Sequence, residues 1–304
     1  MLVHSRIKQL WQKAKFREAV SGYLFMAPTL VILGIFLILP IFYAIFLSVH
    51  KVQILGEVSY RMVGFKNFIR IFSDERVGIA LKNTIEYVLI VVPAQTLLAL
   101  GLALVLNANL RGKNWFRVIF FLPTVTSSAV LTLIFMWIYN SQGLLNSFLA
   151  VLGLPTYNWM GNPAVALKAI MLMNIWSTAP FFMVIYLAAL QDISASLYEA
   201  AKLDGADDFD QFLTITLPLL KPVTFFIVVM GVIGTFQLFD QSYIFSAGSG
   251  GPNNSTLTLV LLIYQYAFRS LDLGYAAALA LMLTVVILAV TLIQRRLFKE
   301  ERLD

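Results

Sequence analysis

Long stretches without Asp, Glu, Lys or Arg constrain the fold of this 304-residue chain more than any other feature. The six stretches are residues 19–50, 87–110, 118–167, 169–191, 222–239 and 273–294. A hydrocarbon core about 30 Å thick is crossed by about 20 helical residues. Because each stretch reaches or approaches that length, the sequence predicts an all-α membrane protein.

The third stretch is too long and too polar in its second half to be one span. A polar segment begins at Asn140, and Pro155 and Pro163 follow it, so only the first part is expected to cross the membrane. A separate apolar run, 254–268, has only about 15 residues and predicts an interfacial or re-entrant helix. The sequence therefore predicts six transmembrane helices, at about 21–48, 83–107, 117–139, 165–190, 218–239 and 274–294.

The composition agrees with a lipid bilayer as the solvent of this chain. Apolar residues make up 60% of it and charged residues 12%, whereas a soluble domain has roughly 45–50% and 25%. This excess excludes an ordinary soluble enzyme, a disordered chain and a nucleic-acid-binding module. The chain has no cysteine, which excludes disulfides, thiolate metal sites and a cysteine nucleophile.

The distribution of Lys and Arg predicts the orientation. Of the 22 basic residues, 14 lie in the N-terminal tail, the loops 108–117 and 191–221, and the C-terminal tail, and eight lie on the opposite side. By the positive-inside rule, both termini are predicted to be cytoplasmic. The expected segments are an N-terminal interfacial segment, a single transmembrane domain and a tail, at 1–20, 21–294 and 295–304.

Two interpretations of the N-terminal segment stay open. Basic residues alternate there with apolar residues at helical spacing, as in an interfacial amphipathic helix. The same basic residues would also serve as a simple positive-inside anchor. The apolar residues are Val3, Ile7, Leu10, Trp11 and Ala14.

The loop between the fourth and fifth predicted spans does not have the composition of a plain linker. Between residues 191 and 217 it contains six of the 16 acidic residues of the chain and a single basic residue. Ser196 and Glu199 have the spacing of a capping box, and Gly205 is a natural helix stop. A second short helix can then be capped by Asp207 or Asp208. The predicted helix–glycine–helix arrangement would suit a solvated connector as well as a functional element.

This loop, residues 191–217, resembles the EAA loop of the membrane-spanning permease subunits of binding-protein-dependent ABC importers. The residues that carry the resemblance are Glu199-Ala200-Ala201, Asp204-Gly205-Ala206, Phe212, Ile215, Leu217-Pro218 and Pro222. Other segments are similar to the carbohydrate-uptake branch, of the maltose and glycerol-3-phosphate type: Val63 to Phe68, Gly250-Gly251-Pro252, Ala267-Phe268, and Phe239-Asp240 with Tyr243. The resemblance implies the type I ABC importer permease fold.

The resemblance also implies a transport subunit rather than an enzyme, in a bacterial or archaeal cytoplasmic membrane. Its implied partners are a second homologous permease that forms a heterodimer, two ATPase subunits and an extracytoplasmic solute-binding protein. ATP and Mg would bind the ATPase subunits, and this chain would hold no cofactor, metal or nucleic acid. Glu199 would pair with a positive residue of the ATPase, and Gly205 would form the turn. The implied coupling residues are Glu199, Ala200, Ala201, Asp204, Gly205 and Ala206.

The residues themselves offer neither a power source nor a catalytic group. The sequence has no G-x-x-x-x-G-K-[ST] phosphate loop, and its two histidines, His4 and His50, form no metal-ligand motif. The predicted spans and their edges carry two carboxylates, Glu86 and Asp240. The alternative function, a stand-alone secondary carrier or channel, would predict more intramembrane charges or a repeated half. The sequence therefore favours an ATP-driven importer permease for a sugar or sugar-like solute.

Polar and aromatic residues in the fourth and fifth spans predict a solute pathway. The candidates are Asn174, Trp176, Ser177, Thr178 and Phe181 in span four and Phe236, Gln237, Phe239 and Asp240 in span five. A neutral polar solute needs such groups inside a helix bundle, and Pro180 leaves the carbonyl of Trp176 without its helical donor. The resemblance implies a pathway role for Ser177, Thr178, Phe181, Phe236, Gln237 and Asp240. The alternative is that these side chains only pack the helices together.

Overall fold

A computed structural model describes residues 2–54, 56–108 and 112–299. The end of the predicted tail, 300–304, and the side chains of the predicted N-terminal amphipathic face lie outside the described residues. The described chain is mostly helical, with a two-stranded sheet within its N-terminal third. The predicted all-α membrane class is confirmed.

Fourteen α-helices follow one another along the described chain. They are α1 (Leu2–Leu33), α2 (Leu39–Ser48), α3 (Lys66–Ser73), α4 (Glu75–Asn107), α5 (Lys113–Val125), α6 (Ser128–Ile138), α7 (Leu144–Val151), α8 (Pro163–Gln191), α9 (Ala195–Leu203), α10 (Asp208–Gln211), α11 (Leu217–Phe236), α12 (Asp240–Phe245), α13 (Leu259–Tyr264) and α14 (Leu273–Lys299). Short π-helical segments extend α1, α10 and α13, at Gly34–Ile38, Phe212–Thr216 and Gln265–Arg269. Strands β1 (His50–Gln53) and β2 (Ser59–Met62) pair antiparallel.

In the described part of the chain, five helical runs are long and apolar enough to cross a membrane. They are Lys15–Ser48, Glu75–Asn107, Pro163–Gln191, Asp208–Phe245 and Leu273–Phe298. These runs contain the first, second, fourth, fifth and sixth predicted spans. They extend beyond most of the predicted ends, because a helix continues past the last apolar residue until a cap or a turn stops it.

The third predicted span, 117–139, is not a straight helix. It consists of α5 and α6, which are bent by 108° relative to each other. Pro123 lacks the N–H that would bond the preceding turn. Thr126 and Ser127 then have extended ψ angles of 138° and 134°. The pair is a sixth membrane element if it is one broken span.

The short apolar helix predicted within 254–268 is observed at Leu259–Arg269. It packs against α4 and α14, and Leu259, Leu261 and Leu262 are at most 1% exposed. Thr258 caps it by accepting a hydrogen bond from the N–H of Leu261. The helix is therefore part of the packed core of the bundle.

The core is organised around α4. Its most extensive packing is against α8, and it also packs against α11 and α13. Side chains on different faces of α4, such as Tyr87, Val92 and Ala99, belong to three separate buried clusters. A helix that is apolar on several faces is buried in the bundle rather than placed at its edge.

The first membrane run lies largely outside this core. Only 6% of its most apolar window is buried, and Phe25 and Phe36 are 88% and 76% exposed. Its far end packs against α14. Just beyond that end, in β1, the carbonyl oxygen of His50 lies so close to Gly274 of α14 that a Cβ there would collide with it. An apolar surface of this extent requires lipid or a second membrane protein to cover it.

Candidate functional site

A cavity of about 500 Å³, lined by both polar and apolar residues, lies between α4, α8, α11 and the bend that joins α5 to α6. Each element contributes polar or aromatic groups to its wall. The residues of the wall include Tyr87, Gln95, Thr124, Thr126, Ser128, Asn174, Ser177, Thr178, Phe181, Gln237, Phe239, Asp240 and Gln241. Such a wall offers hydrogen bonds and apolar contact to a small polar solute.

Seven of the nine predicted pathway residues line this one cavity. From α8 come Asn174, Ser177, Thr178 and Phe181, whose spacing of three and four residues places them on one helical face. Past the end of α11 come Gln237, Phe239 and Asp240. The structure thus brings two separate segments of the sequence together around one space.

Trp176 and Phe236 do not join them. Trp176 lies on another face of α8, where it is 48% exposed and its ring centroid is 5.4 Å from that of Phe135. Phe236 is 4% exposed and packs in the cluster that α11 shares with α14. The 100° step of the helix turns Trp176 away from Asn174 and Ser177. Phe236 does not share a face with Phe239 and Asp240, because α11 ends at Phe236 and helical spacing stops there.

A side-chain hydrogen bond crosses from α8 to α4 at the cavity wall. The hydroxyl of Thr178 is 2.7 Å from Oε1 of Gln95 and also 2.7 Å from the carbonyl oxygen of Asn174. Gln95 is 1% exposed, and a Cβ on Gly231 of α11 would lie 2.6 Å from its Nε2. The absence of a side chain at position 231 therefore makes room for this amide.

Two hydroxyl groups in the wall have no hydrogen-bond partner among the described residues. They belong to Tyr87, which is fully buried, and to Ser128, whose Oγ is buried at the start of α6. A buried hydroxyl without a partner costs about 1–3 kcal/mol. A water molecule or a solute hydroxyl in the adjacent cavity would remove that cost.

The bend between α5 and α6 brings further polar groups to the cavity. Thr124 and Thr126 line it, and the hydroxyl of Thr124 is 3.5 Å from the carbonyl oxygen of Ser177. The sequence did not predict these residues as part of the site, because in a straight third helix they would point in different directions. The bend is what turns them toward one cavity. Sequence reasoning also missed Gln95, although a lone glutamine within an apolar span was a usable signal.

The wall is nearly free of ionisable groups. Asp240 supplies a carboxylate and Tyr87 a phenol, and no Lys, Arg or His is among the residues that line the cavity. Among the described residues there is also no group of three or more His, Cys, Asp or Glu that could hold a metal ion. The cavity therefore presents neutral hydrogen-bonding groups and a single carboxylate.

The loop after α8 forms the predicted helix–glycine–helix arrangement, with one correction. The first helix, α9, begins at Ala195, and its cap is Ser194, whose Oγ accepts from the N–H of Ser196 at 3.4 Å. Ser196 therefore lies inside the helix, and the predicted capping box of Ser196 with Glu199 is wrong. Glu199 is exposed on the helix surface.

Gly205 and Asp207 form the turn as predicted. Gly205 has φ +86°, and the N–H of Ala206 returns to the carbonyl of Ala201 at 2.9 Å. Asp207 caps α10 in a reciprocal capping box with Asp210. These are the expected signatures of a helix stop followed by a helix start.

The loop is fastened to the start of the fifth membrane run. Tyr198 of α9 shares a 2.8 Å hydrogen bond with Thr216, and Gln211 donates from Nε2 to the carbonyl of Ala206 at 2.9 Å. On the outer surface, Leu203 and Phe209 are 91% and 66% exposed. A short helix with both ends tied to membrane runs can move as a rigid body with them.

Known proteins resemble this chain over most of its length. Residues 95–302 match the family described as "Binding-protein-dependent transport system inner membrane component". The trehalose/maltose transport system permease protein of Thermococcus litoralis is 36% identical over 249 residues, or 81% of this chain and 83% of that one. The lactose transport system permease protein of Rhizobium radiobacter is 36% identical over 241 residues, or 78% and 80%.

A solved structure shares the fold. In a bacterial alginate ABC transporter, crystallised with a periplasmic protein bound to an alginate pentasaccharide, one chain superimposes with a TM-score of 0.78. The match covers 95% of this chain and 98% of that chain at 24% identity. The type I permease fold expected from the sequence is thereby confirmed.

Proposed function

This chain belongs to the family of inner-membrane components of binding-protein-dependent transport systems, and from that premise we propose that it forms half of the path by which a sugar or sugar-like solute enters the cell. It is a multi-pass transport subunit of an ABC importer and not an enzyme. A stand-alone carrier or channel is not favoured, because the relatives of this chain are permease components of larger transport systems.

The observation that carries the proposal is the cavity. Its neutral donors and acceptors, among them Gln95, Asn174 and Gln237, match the hydroxyl groups of a sugar, and Phe181 and Phe239 offer apolar ring faces. Asp240 would repel an anion, and no basic residue lines the wall to balance it. The solute class that this half of the pathway supports is therefore an uncharged polyhydroxy compound.

A second permease would complete the pathway. The relatives in the comparison belong to multi-component systems, and a heterodimer with a homologous permease is the arrangement proposed for this chain. Large apolar side chains on the first membrane run leave surface for such a partner beside the surrounding lipid. An extracytoplasmic binding protein would deliver the solute to the assembled pair.

Two ATPase subunits would drive the cycle, and they would bind the ATP and Mg. The coupling element proposed for this chain is α9 with its turn, where Glu199 would pair with a basic residue of the ATPase. The exposed Leu203 lies on the same short helix and would add apolar contact. Movement of this helix would open and close the cavity, because Tyr198 and Gln211 tie the loop to the fifth membrane run.

The proposed location is the cytoplasmic membrane of a bacterium or archaeon, with both termini in the cytoplasm. In this orientation the cytoplasmic segments are the two tails and the loops 108–117 and 191–221, which together hold 14 of the 22 basic residues, as the positive-inside rule expects. The same orientation places the ATPase-coupling helix on the side where ATP is available.

Uptake by the complete transporter in proteoliposomes tests the proposed function. The assay uses its binding protein and radiolabelled maltose, trehalose, lactose and, as an anionic solute, glycerol 3-phosphate. We expect ATP-dependent uptake of a neutral sugar, a several-fold loss in Gln237→Leu and Asp240→Ala, and unchanged uptake in the control Trp176→Phe, which lies outside the cavity. Wild-type kinetics in both cavity variants would show that this face only packs the helices.

A further inference from the structure

Helix α3 carries an apolar stripe that no part of the described chain covers. Phe65, at its N-terminal cap, is 73% exposed, Ile69 is 68% exposed and Phe72 is 91% exposed. These residues are four and three positions apart, so they lie on one face of the helix. Three large apolar side chains in a row on an eight-residue helix are unfavourable in water.

The opposite face of α3 is fastened to the bundle. Nδ2 of Asn67 donates to the carbonyl oxygens of Ser48 and His50, at 2.8 and 3.2 Å. Ile71 is 5% exposed and belongs to the cluster that α4 and α14 form. The helix is therefore held by the chain segments on which it packs.

Arg70 fixes the rotation of α3 about its axis. Its Nη1 lies 2.7 Å from a carboxylate oxygen of Asp272, and its guanidinium carbon lies 3.9 Å from the ring centroid of Tyr275. Because Arg70 and Asn67 both face the bundle, the apolar stripe cannot turn inward. The stripe is therefore exposed because of how the helix is packed, and a change of side-chain rotamer would not bury it.

The position of α3 is that of a membrane boundary. It lies between the end of α2, at Ser48, and the start of α4, at Glu75, and it packs against the start of α14. Three membrane runs therefore end beside it. Three exposed basic residues lie in or just before α3: Lys51 and Arg61, which are opposite each other in β1 and β2, and Lys66. Long basic side chains at a span end can reach the headgroup phosphates while their stems stay on apolar surface.

We propose that α3 lies in the lipid–water boundary and inserts Phe65, Ile69 and Phe72 among the lipid acyl chains. The membrane run that starts directly after α3 also exposes apolar residues, among them Ile85 and Leu89 of α4, which are 40% and 68% exposed. Lys66 and Ser73 occupy the neighbouring exposed face and meet water and headgroups. The helix thus anchors the region between the first two membrane runs at a set depth.

Lipid is favoured over a protein partner by the geometry of the two faces. A polar face and an apolar face side by side, on a helix that packs against the ends of membrane runs, divide between water and hydrocarbon. The charge of the surrounding basic residues is complementary to anionic phospholipid headgroups. The proposal does not depend on which solute is transported.

The chain's lack of cysteine makes a direct test available. A nitroxide is attached to the single cysteine of Phe72→Cys, and in parallel to that of the neighbouring Ser73→Cys. The complete transporter, with no reactive cysteine in its other subunits, is placed in phosphatidylethanolamine–phosphatidylglycerol nanodiscs. Collision rates with oxygen and with a water-soluble nickel chelate are then measured by electron paramagnetic resonance.

We expect the label at position 72 to collide more with oxygen and several-fold less with nickel than the label at position 73. Ile69→Cys and Lys66→Cys form a second matched pair if substitution of Phe72 impairs assembly. Equal nickel accessibility at the two positions of a pair would overturn the proposal. The proposal would also be overturned if the label at position 72 became inaccessible to nickel only after the binding protein was added. The stripe would then be a face that docks a protein.

Discussion

The hydroxyl of Thr178 meets the side-chain carbonyl of Gln95 at 2.7 Å and joins α8 to α4 at the wall of the cavity. With its carbonyl turned to Thr178, the amide directs its NH₂ toward Gly231 of α11. Three membrane runs therefore converge on one buried amide group. A change in the spacing of these runs would alter both the cavity wall and this hydrogen bond.

The Thr178–Gln95 hydrogen bond leads to the first prediction. Thr178→Val keeps the shape of the side chain but leaves Oε1 of Gln95 without this donor, which is expected to cost about 1–3 kcal/mol of stability. We also expect a higher KM for solute uptake, since the wall loses a hydroxyl. Thermal unfolding in detergent and uptake in proteoliposomes measure the two effects. Thr178→Ser, which retains the hydroxyl, is the control, and identical behaviour of the two variants would contradict the prediction.

Gly231 provides a second prediction with a matched control on the same helix. A Cβ at Gly231 would lie 2.6 Å from Nε2 of Gln95, whereas a Cβ at Gly234 would meet nothing within 4 Å. Gly231→Ala must displace the amide and is expected to lower stability by about 1–3 kcal/mol, as overpacking does. Gly234→Ala should be neutral or slightly stabilising, because alanine favours the helix. A melting temperature that moves equally in both variants would show that Gln95 adapts freely.

The sequence predicted the α8 side of the cavity better than any other part. Asn174, Thr178 and Phe181 repeat at helical spacing, so a single helix suffices to place them together. Gln95 could not be assigned in this way, because its role arises only where α4 packs between α8 and α11. The position of the Ser128 hydroxyl depends on a bend of 108°, which the absence of charged residues from the third stretch did not reveal.

Asp74 yields a third prediction, which concerns pH. Burial alone would raise the pKa of its carboxyl above the ordinary value of 3.8, but hydrogen bonds from Tyr266, Tyr275 and the N–H of Arg76 lower it below that value. A carboxyl with a lowered pKa stabilises the fold above its unfolded pKa, and this contribution is lost as the pH falls through the folded pKa. The ionised carboxylate therefore stabilises the fold at neutral pH.

We expect Asp74→Asn to lower the melting temperature at about pH 7, with a difference from the wild type that shrinks as the pH falls below the ordinary value of 3.8. The tyrosine hydroxyls lie 2.6 and 2.9 Å from the carboxylate, so both would lose a charged acceptor. Glu75→Gln, at the exposed neighbouring position, is the control for the loss of one acidic side chain at this helix end. A constant difference across the pH range would assign the effect of Asp74→Asn to packing.

The coupling turn gives the last prediction. Gly205→Asp places an L side chain at φ +86°, which costs about 1–2 kcal/mol, yet nothing lies within 4 Å, so the membrane bundle should still assemble. Glu199→Lys reverses a charge on the exposed surface of α9. We expect both variants to reach the membrane but to lose uptake and the stimulation of ATP hydrolysis by the loaded binding protein. Asp208→Lys, another exposed acid of the loop, should retain both activities. Normal transport by both coupling variants would refute the role of α9, and an equal loss in Asp208→Lys would point to the net charge of the loop instead.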